Sequence, residues 1–275
     1  MGNLEHELLI VQVVNALLDP LVRPLLTALG FHPAHGAELI PNYLVISGLV
    51  VVFWTVIGLL IKSRLSVENP SRFQIVLEDL VMALVGLLDE WIGPKGRRFL
   101  PLIGALGAFI MLGNYAGLLP GLMSPTSNIN VTAGCAVTIW VYYHFHGIKA
   151  QGLFAYLKHF ALPPGVPVWM APIMLPIELI SHFSRVLSLS LRLFGNIFGE
   201  ELVILILALL SPWFFPFFPL PMMALGLLTA GLQAFIFVLL SIIYLQGAVA
   251  VEHHDEHAHA NGEGHEMDAA EMATV

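Results

Sequence analysis

Long apolar stretches separated by short polar connections dominate the chain. About 20 consecutive apolar residues are enough to cross the hydrocarbon core of a membrane as a helix. Five stretches reach that length, and the pattern therefore predicts an all-α membrane protein with about five membrane-spanning helices. These predicted spans cover residues 43–61, 99–119, 129–148, 171–210 and 220–251.

The last two stretches are too long for an upright crossing. At 1.5 Å per residue each gives roughly 50 Å of helix, whereas the hydrocarbon core is about 30 Å thick. We expect residues 171–210 and 220–251 to tilt strongly or to lie partly along the membrane. The Pro- and Phe-rich residues 211–216 turn the chain between them, so the pair forms a hairpin.

Residues 72–92 show a different periodicity. One helical face is apolar, and the other carries Glu78, Asp79, Asp89 and Glu90. This pattern is typical of a helix that lies in the membrane interface. A second amphipathic helix is predicted within the N-terminal segment 1–40.

Composition supports a membrane protein. Of 275 residues, 57% are apolar and only 11% are charged, and the mean hydropathy is +0.83. This is more apolar material than one soluble core needs. Residues 41–251 form the predicted membrane domain. The lone Cys135 offers no disulfide framework, and we interpret it as a packing residue.

The segment 252–275 is acidic and His-rich. Its carboxylates account for nearly all of the net charge of −8. Five histidines among them, at 253, 254, 257, 259 and 265, could bind a transition metal weakly. A solvated, disordered tail is the competing interpretation, and we favour it, so no metal site and no cofactor are expected.

The basic residues predict the orientation. Most of the eleven Lys and Arg residues follow the first or third predicted span, and the positive-inside rule places those connections in the cytoplasm. With five spans, the N-terminus lies outside and the C-terminus lies in the cytoplasm.

Residues 171–210 carry polar side chains at helical steps of three and four, which share one face. Arg192 is the most demanding of them, because an arginine at the bilayer centre costs roughly 2.5–3.5 kcal/mol on insertion scales. The next predicted helix has a sparser polar stripe. Two such polar faces in a membrane predict an aqueous path lined by polar side chains. The first stripe consists of Glu178, Ser181, Arg185, Ser188, Arg192, Asn196 and Glu200, and the second of Thr229, Gln233, Ser241 and Tyr244.

Simpler interpretations exist for single members of the stripes. Arg185 could snorkel to the interface, and Glu178 could pair with it. Ser188, Asn196 and Gln233 could be ordinary hydrogen-bonding contacts between helices. Adjacent carboxylates at Glu200 and Glu201 are costly in a membrane unless they are hydrated or protonated. His182 lies beside the first stripe and could titrate in an aqueous cavity.

Two short sequence motifs in the last two predicted helices point to a particular protein family. Residues 188–196 read Ser-Leu-Ser-Leu-Arg-Leu-Phe-Gly-Asn, an acidic residue follows near position 200, and residues 232–237 read Leu-Gln-Ala-Phe-Ile-Phe. This combination resembles subunit a of the F-type ATP synthase. Asn114, the residues 117–120 and the residues 125–132 are similar to that family's outer-loop pattern.

The resemblance implies a stator that moves protons but does not itself carry out nucleotide chemistry. In that family the long hairpin faces a rotating ring of c subunits, and two offset half-channels connect the ring carboxylates to the two sides. Arg192 matches the essential arginine. The implied partners are the c-ring, the peripheral-stalk b subunits, other synthase subunits and the bilayer of a bacterial inner membrane, with no nucleic acid. Positions that match or adjoin the half-channels are Glu178, Ser188, Asn196, Glu200, Glu201 and Gln233.

Three positions depart from the family pattern. Some members place a histidine where this chain has Gly226, and here Glu200 stands beside Glu201; we infer that the extra carboxylate replaces the lost polar group. Asn128 stands where an aspartate is common, and Val186 replaces a frequent proline.

Two other classes fit less well. A secondary transporter usually shows paired repeats, but the sequence has no second copy of the 171–251 hairpin. An intramembrane protease needs a nucleophile or metal motif, and the sequence has none. A phosphate-binding Gly-x-x-x-x-Gly-Lys-[Ser/Thr] motif is also missing.

Overall fold

The computed structural model describes residues 9–28, 40–62, 64–66, 69–119, 122–161, 167–210, 217 and 219–249. All regular structure in these residues is helical, which confirms the predicted all-α membrane protein. Short 3₁₀ turns at Pro94–Phe99, Pro125–Ser127 and Val168–Met170 separate some of the helices. The helices are α1 (Leu9–Ala28), α2 (Asn42–Lys62), α3 (Arg72–Trp91), α4 (Leu100–Gly117), α5 (Ile129–Gln151), α6 (Leu153–Ala161), α7 (Ala171–Leu210) and α8 (Pro219–Val249). The tail at 252–275 and residues 1–8 and 29–39 of the N-terminal segment lie outside the described residues.

Four helical segments in the described part of the chain are long and apolar enough to cross a membrane. They are Asn42–Lys62, Pro94–Gly117, Ala171–Leu210 and Leu220–Val249. Helix α5 has 23 residues but is not among them, since its last two turns carry His144, His146 and Lys149. A fifth span through α5 therefore stays a prediction.

Helix boundaries follow from local chemistry. Before α3, the Ser71 hydroxyl accepts the Gln74 backbone N–H at 3.2 Å, which is the N-cap arrangement that satisfies a first-turn donor. Between α5 and α6, Gly152 has a φ of 82°, a left-handed conformation that glycine adopts without steric cost. Gly152 thus ends one helix and permits the next to begin.

The described residues belong to two compact units. The first unit is drawn from Met1–Asp79, Ala105–Cys135 and Leu189–Phe237. Its buried side chains include residues of α2, α4, α7 and α8, and the Trp54 indole N–H donates to the Ala108 carbonyl at 3.0 Å. Much of the surface of α2 is nevertheless exposed and apolar, which suits contact with lipid rather than with water. The exposed apolar residues of α2 are Leu44, Leu49, Val51, Val52, Phe53, Val56, Leu59 and Leu60.

The second unit is drawn from Leu80–Gly104, Ala136–Ser188 and Val238–Val275. Leu88 on α3, Phe99 before α4 and Ile242 on α8 are fully buried in this unit. On its surface, the Arg97 guanidinium donates to the Asp89 carboxylate at 2.6 Å. This hydrogen bond lowers the pKa of Asp89. Asp89 therefore stays ionised, and paired with Arg97, at a lower pH than an isolated aspartate would.

A close approach at Gly96 holds the turn after α3 together. A Cβ at residue 96 would lie 2.8 Å from the Leu88 carbonyl oxygen and 2.9 Å from the Ile92 Cβ. Real Cβ atoms do not come this close to backbone, so the turn requires glycine.

We expect Gly96→Ala to destabilise the protein by about 1–3 kcal/mol, the usual cost of inserting a group into a packed site. Gly104→Ala is the matched control, because nothing lies within 4 Å of a Cβ there. Thermal unfolding of both purified variants in the same detergent measures the difference. Equal unfolding temperatures would contradict the close approach at Gly96.

Candidate functional site

Arg192 lies on an exposed face of α7, in the first unit. Its neighbours Leu189, Leu193 and Ile197 on an adjoining face are buried, whereas Arg192 itself and Leu191 are exposed. Among the residues that the structure describes, no carboxylate lies within ion-pair distance of the Arg192 guanidinium. The helix thus presents a permanent positive charge on its outer surface without an anion from the described part of the chain.

One turn further, Asn196 joins α7 to α8. Its side-chain amide donates to the Gln233 Oε1 at 2.7 Å. Gln233 is 2% exposed, and its Nε2 has no acceptor in the described part of the chain. A buried amide N–H without a partner is uncommon and calls for an explanation. The pair therefore offers an amide NH2 group without an acceptor in the described residues, beside the face that carries Arg192.

Glu200 turns toward α8. Its Oε2 accepts the Thr229 hydroxyl at 3.0 Å. A Cβ built on Gly226 would lie only 1.5 Å from the Glu200 Oε1, so the carboxylate occupies the space that any side chain at position 226 would take. The Glu200 carboxylate can therefore take this position only because residue 226 has no side chain.

Glu201 turns the other way, toward the connection after α4. Its Oε1 accepts the Ser124 backbone N–H at 2.8 Å. A Cβ on Gly117 would come within 2.8 Å of the same oxygen, so glycine at 117 leaves room for the carboxylate. The two adjacent glutamates therefore contact different parts of the first unit.

A buried polar network continues from Ser124. The Ser124 hydroxyl contacts the Gly113 carbonyl at 2.9 Å and the Thr126 hydroxyl at 2.6 Å. The Thr126 hydroxyl donates to the Asn114 Oδ1, and the Asn114 amide donates to the Ala230 carbonyl at 3.2 Å. Glu201 is thereby connected to α4 and α8 through a continuous set of hydrogen bonds. Ser124 is a residue that sequence reasoning missed, because a single serine between two predicted spans shows no periodicity or motif.

Asn128 has a local structural role in the same connection. Its Oδ1 accepts the Asn130 backbone N–H at 3.0 Å, a side-chain to backbone bond of the kind that precedes many helices. The residue lies directly before α5 and helps to begin it.

Glu178 and Ser188 belong to the second unit. The Glu178 Oε1 lies 3.3 Å from the His182 Nε2. The Arg185 guanidinium lies over the Tyr244 ring, 5.5 Å from its centroid, so Glu178 and Arg185 have separate neighbours. Ser188 is exposed. Of the predicted site residues, the first unit brings together Asn196, Gln233 and Glu200 between α7 and α8. Glu201 turns toward the connection after α4, and Arg192 lies on the same stretch of α7.

Most of the chain is similar in sequence to known proteins. The family described as ATP synthase A chain matches residues 43–246. A protein named ATP synthase subunit a from Citrifermentans bemidjiense is 43% identical over 237 residues, covering 86% of this chain and 95% of its own length. A protein with the same name from Geobacter sulfurreducens is 39% identical over 248 residues, covering 90% of this chain and 99% of its own.

The contact between Glu200 and Gly226 can be tested directly. We expect Gly226→Ala to lower the unfolding temperature, because the new methyl group displaces a carboxylate from its hydrogen bond. Glu200→Ala should remove that penalty, so the double variant should show a coupling of about 0.5–3 kcal/mol. Gly199→Ala is the control, since nothing lies within 4 Å of a Cβ there. Strictly additive effects of the two substitutions would contradict the shared space.

Proposed function

Because the chain belongs to the ATP synthase A chain family, we propose that it is the proton-translocating stator subunit of a rotary ATP synthase, with Arg192 facing a rotating ring of c subunits. It is a multi-pass membrane protein that serves ion transport and ATP synthesis. We propose that two half-channels bring protons to and from a carboxylate on each ring subunit. Nucleotide chemistry then belongs to other subunits, and peripheral-stalk b subunits hold this chain against rotation.

The observation that carries the proposal is the exposed charge of Arg192, which no carboxylate of the described residues neutralises. A guanidinium on an apolar helix surface is unfavourable in lipid unless another molecule supplies an anion. An ionised ring carboxylate meets that need when the ring brings it to α7. The guanidinium in turn favours the ionised form of each arriving carboxyl group, so the proton is released there.

The same charge explains why protons do not leak. A fixed positive charge repels hydronium and separates the two aqueous paths, and the ring must turn for a proton to pass from one path to the other. Each elementary charge that crosses the membrane potential supplies about 2.3 kcal/mol per 100 mV. Rotation of the ring carries this free energy to the subunits that make ATP.

The polar groups of the first unit are suited to one half-channel. The unpaired amide N–H of Gln233 can donate to a proton-carrying water beside Asn196. The Glu200 carboxylate accepts a hydrogen bond from the Thr229 hydroxyl, which can both donate and accept a hydrogen bond. Glu201 accepts the Ser124 backbone N–H, and an amide N–H does not give up its proton. In our proposal Glu200 exchanges protons and Glu201 holds the connection after α4 in place through its hydrogen bond with Ser124.

Glu178 and Ser188 are assigned to the other half-channel. The basic connections after the first and third predicted spans support a cytoplasmic position for this end of α7. The N-terminus is then outside and the C-terminus inside a bacterial inner membrane.

Substitution of Arg192 tests the proposal. We expect Arg192→Ala to abolish ATP-driven acidification of inverted membrane vesicles although the chain still assembles with the ring, which a detergent pull-down checks. Arg64→Ala is the matched control, because it removes the same side chain from the polar connection after α2. Acidification at the wild-type rate in the Arg192 variant would reject the proposal.

The two glutamates are separated by amide variants. We expect Glu200→Gln to slow proton pumping by about 10²-fold or more, the lower range of a positioned proton-transfer group. Glu201→Gln should retain more activity, because its amide oxygen still accepts the Ser124 N–H. Initial rates in the same vesicles give the comparison. A larger loss in the Glu201 variant would reverse the assignment.

A further inference from the structure

A histidine in the second unit has both ring nitrogens beside titratable oxygens. The Tyr143 hydroxyl lies 2.8 Å from the His182 Nδ1, and the Glu178 Oε1 lies 3.3 Å from the His182 Nε2. The His182 side chain is 11% exposed, whereas that of Glu178 is 33% exposed. The imidazole is thus enclosed between a buried phenol and a carboxylate that reaches the surface.

The surroundings of His182 come from α5 and α7. On α7, Glu178 lies at the preceding turn, and the positive charge of Arg185 acts on the imidazole from the following turn. On α5, Tyr143 is 2% exposed, and the His144 ring centroid lies 5.1 Å from that of His182. Charged and titratable side chains of both helices thus face His182.

This arrangement exceeds what packing between α5 and α7 requires. An amide or a hydroxyl would join Tyr143 to Glu178 equally well. Imidazole differs because one nitrogen can accept a proton while the other holds one, and because its charge changes near neutral pH. A residue of this kind, placed behind a partly exposed carboxylate, has the parts of a proton-exchange site.

We propose that His182 is a proton-relay residue that exchanges protons with Glu178; this inference rests on the proposed function. A water-borne proton first binds the Glu178 carboxylate. The carboxyl O–H bond then breaks as an N–H bond forms at Nε2, which leaves a carboxylate and an imidazolium. Tyr143 is a positioning residue, because its phenolic oxygen accepts the Nδ1–H of the imidazolium.

The reverse transfer returns the proton to Glu178, from which it leaves to water. Each cycle therefore takes up one proton and releases one, with no change in either side chain. Arg185 shortens the life of the imidazolium, because like charges repel. The site holds a proton only briefly, as a conducting path needs.

The test compares two histidines of the second unit. His182→Gln keeps hydrogen-bonding groups toward Tyr143 and Glu178 but does not titrate, and His146→Gln is the matched control on α5. We expect the His182 variant to assemble with the ring and to pump at least about 10-fold more slowly. This loss is smaller than the roughly 10²- to 10⁴-fold contribution of a positioned acid or base, because Glu178 can still exchange protons with water. The control should pump normally.

Chemical rescue distinguishes a relay from packing. We expect added imidazole to restore part of the pumping in His182→Ala, and the restored rate should follow the titration of imidazole with pH. Wild-type rates in both His182 variants would overturn the relay, and so would loss of ring assembly in both, or a slow rate in both that imidazole does not change.

Arg192→Ala in the same vesicles separates the two proposals. If it abolishes pumping while the His182 variants pump normally, only the relay fails. If it pumps normally, the proposed function itself fails.

Discussion

A charge on a membrane helix must find an opposite charge, a hydrogen bond or water, and α7 is organised by that requirement. In the described residues Arg185 lies over the Tyr244 ring, Glu178 contacts His182, Glu200 accepts from Thr229, and Glu201 accepts from Ser124. Arg192 is the exception, exposed and without an anion from the described part of the chain. The proposed function follows from this difference, because a moving partner with a carboxylate can satisfy Arg192 only when it arrives.

Two glycines leave the space that the adjacent carboxylates of Glu200 and Glu201 occupy. Gly226 leaves the space that Glu200 fills, and Gly117 leaves the space beside Glu201. A side chain at either position would push a carboxylate from its donor. Small residues on α4 and α8 are therefore as important to the electrostatics of the first unit as the acids themselves.

The sequence predicted much of the fold, because long apolar runs and helical periodicity are local properties. The limits of α7 and α8 agree with the apolar stretches to within a few residues, and the polar stripe identified the face with Arg192 and Asn196. The opposite directions of Glu200 and Glu201 were not predictable, since they depend on gaps at distant glycines. Tyr143 was missed for a similar reason: its hydroxyl meets His182 only once α5 packs beside α7. The assignment of α5 as a span depends on borderline hydropathy, which three basic or imidazole side chains lower near its end.

The central claim is that Arg192 is neutralised by a carboxylate of another subunit. An experimental structure of the chain assembled with its ring would test this directly. We expect a ring carboxylate within about 4 Å of the Arg192 guanidinium, the ordinary limit of an ion pair, in at least one rotational position of the ring. A guanidinium that contacts lipid phosphate, or an acid of its own chain, in every rotational position would contradict the claim.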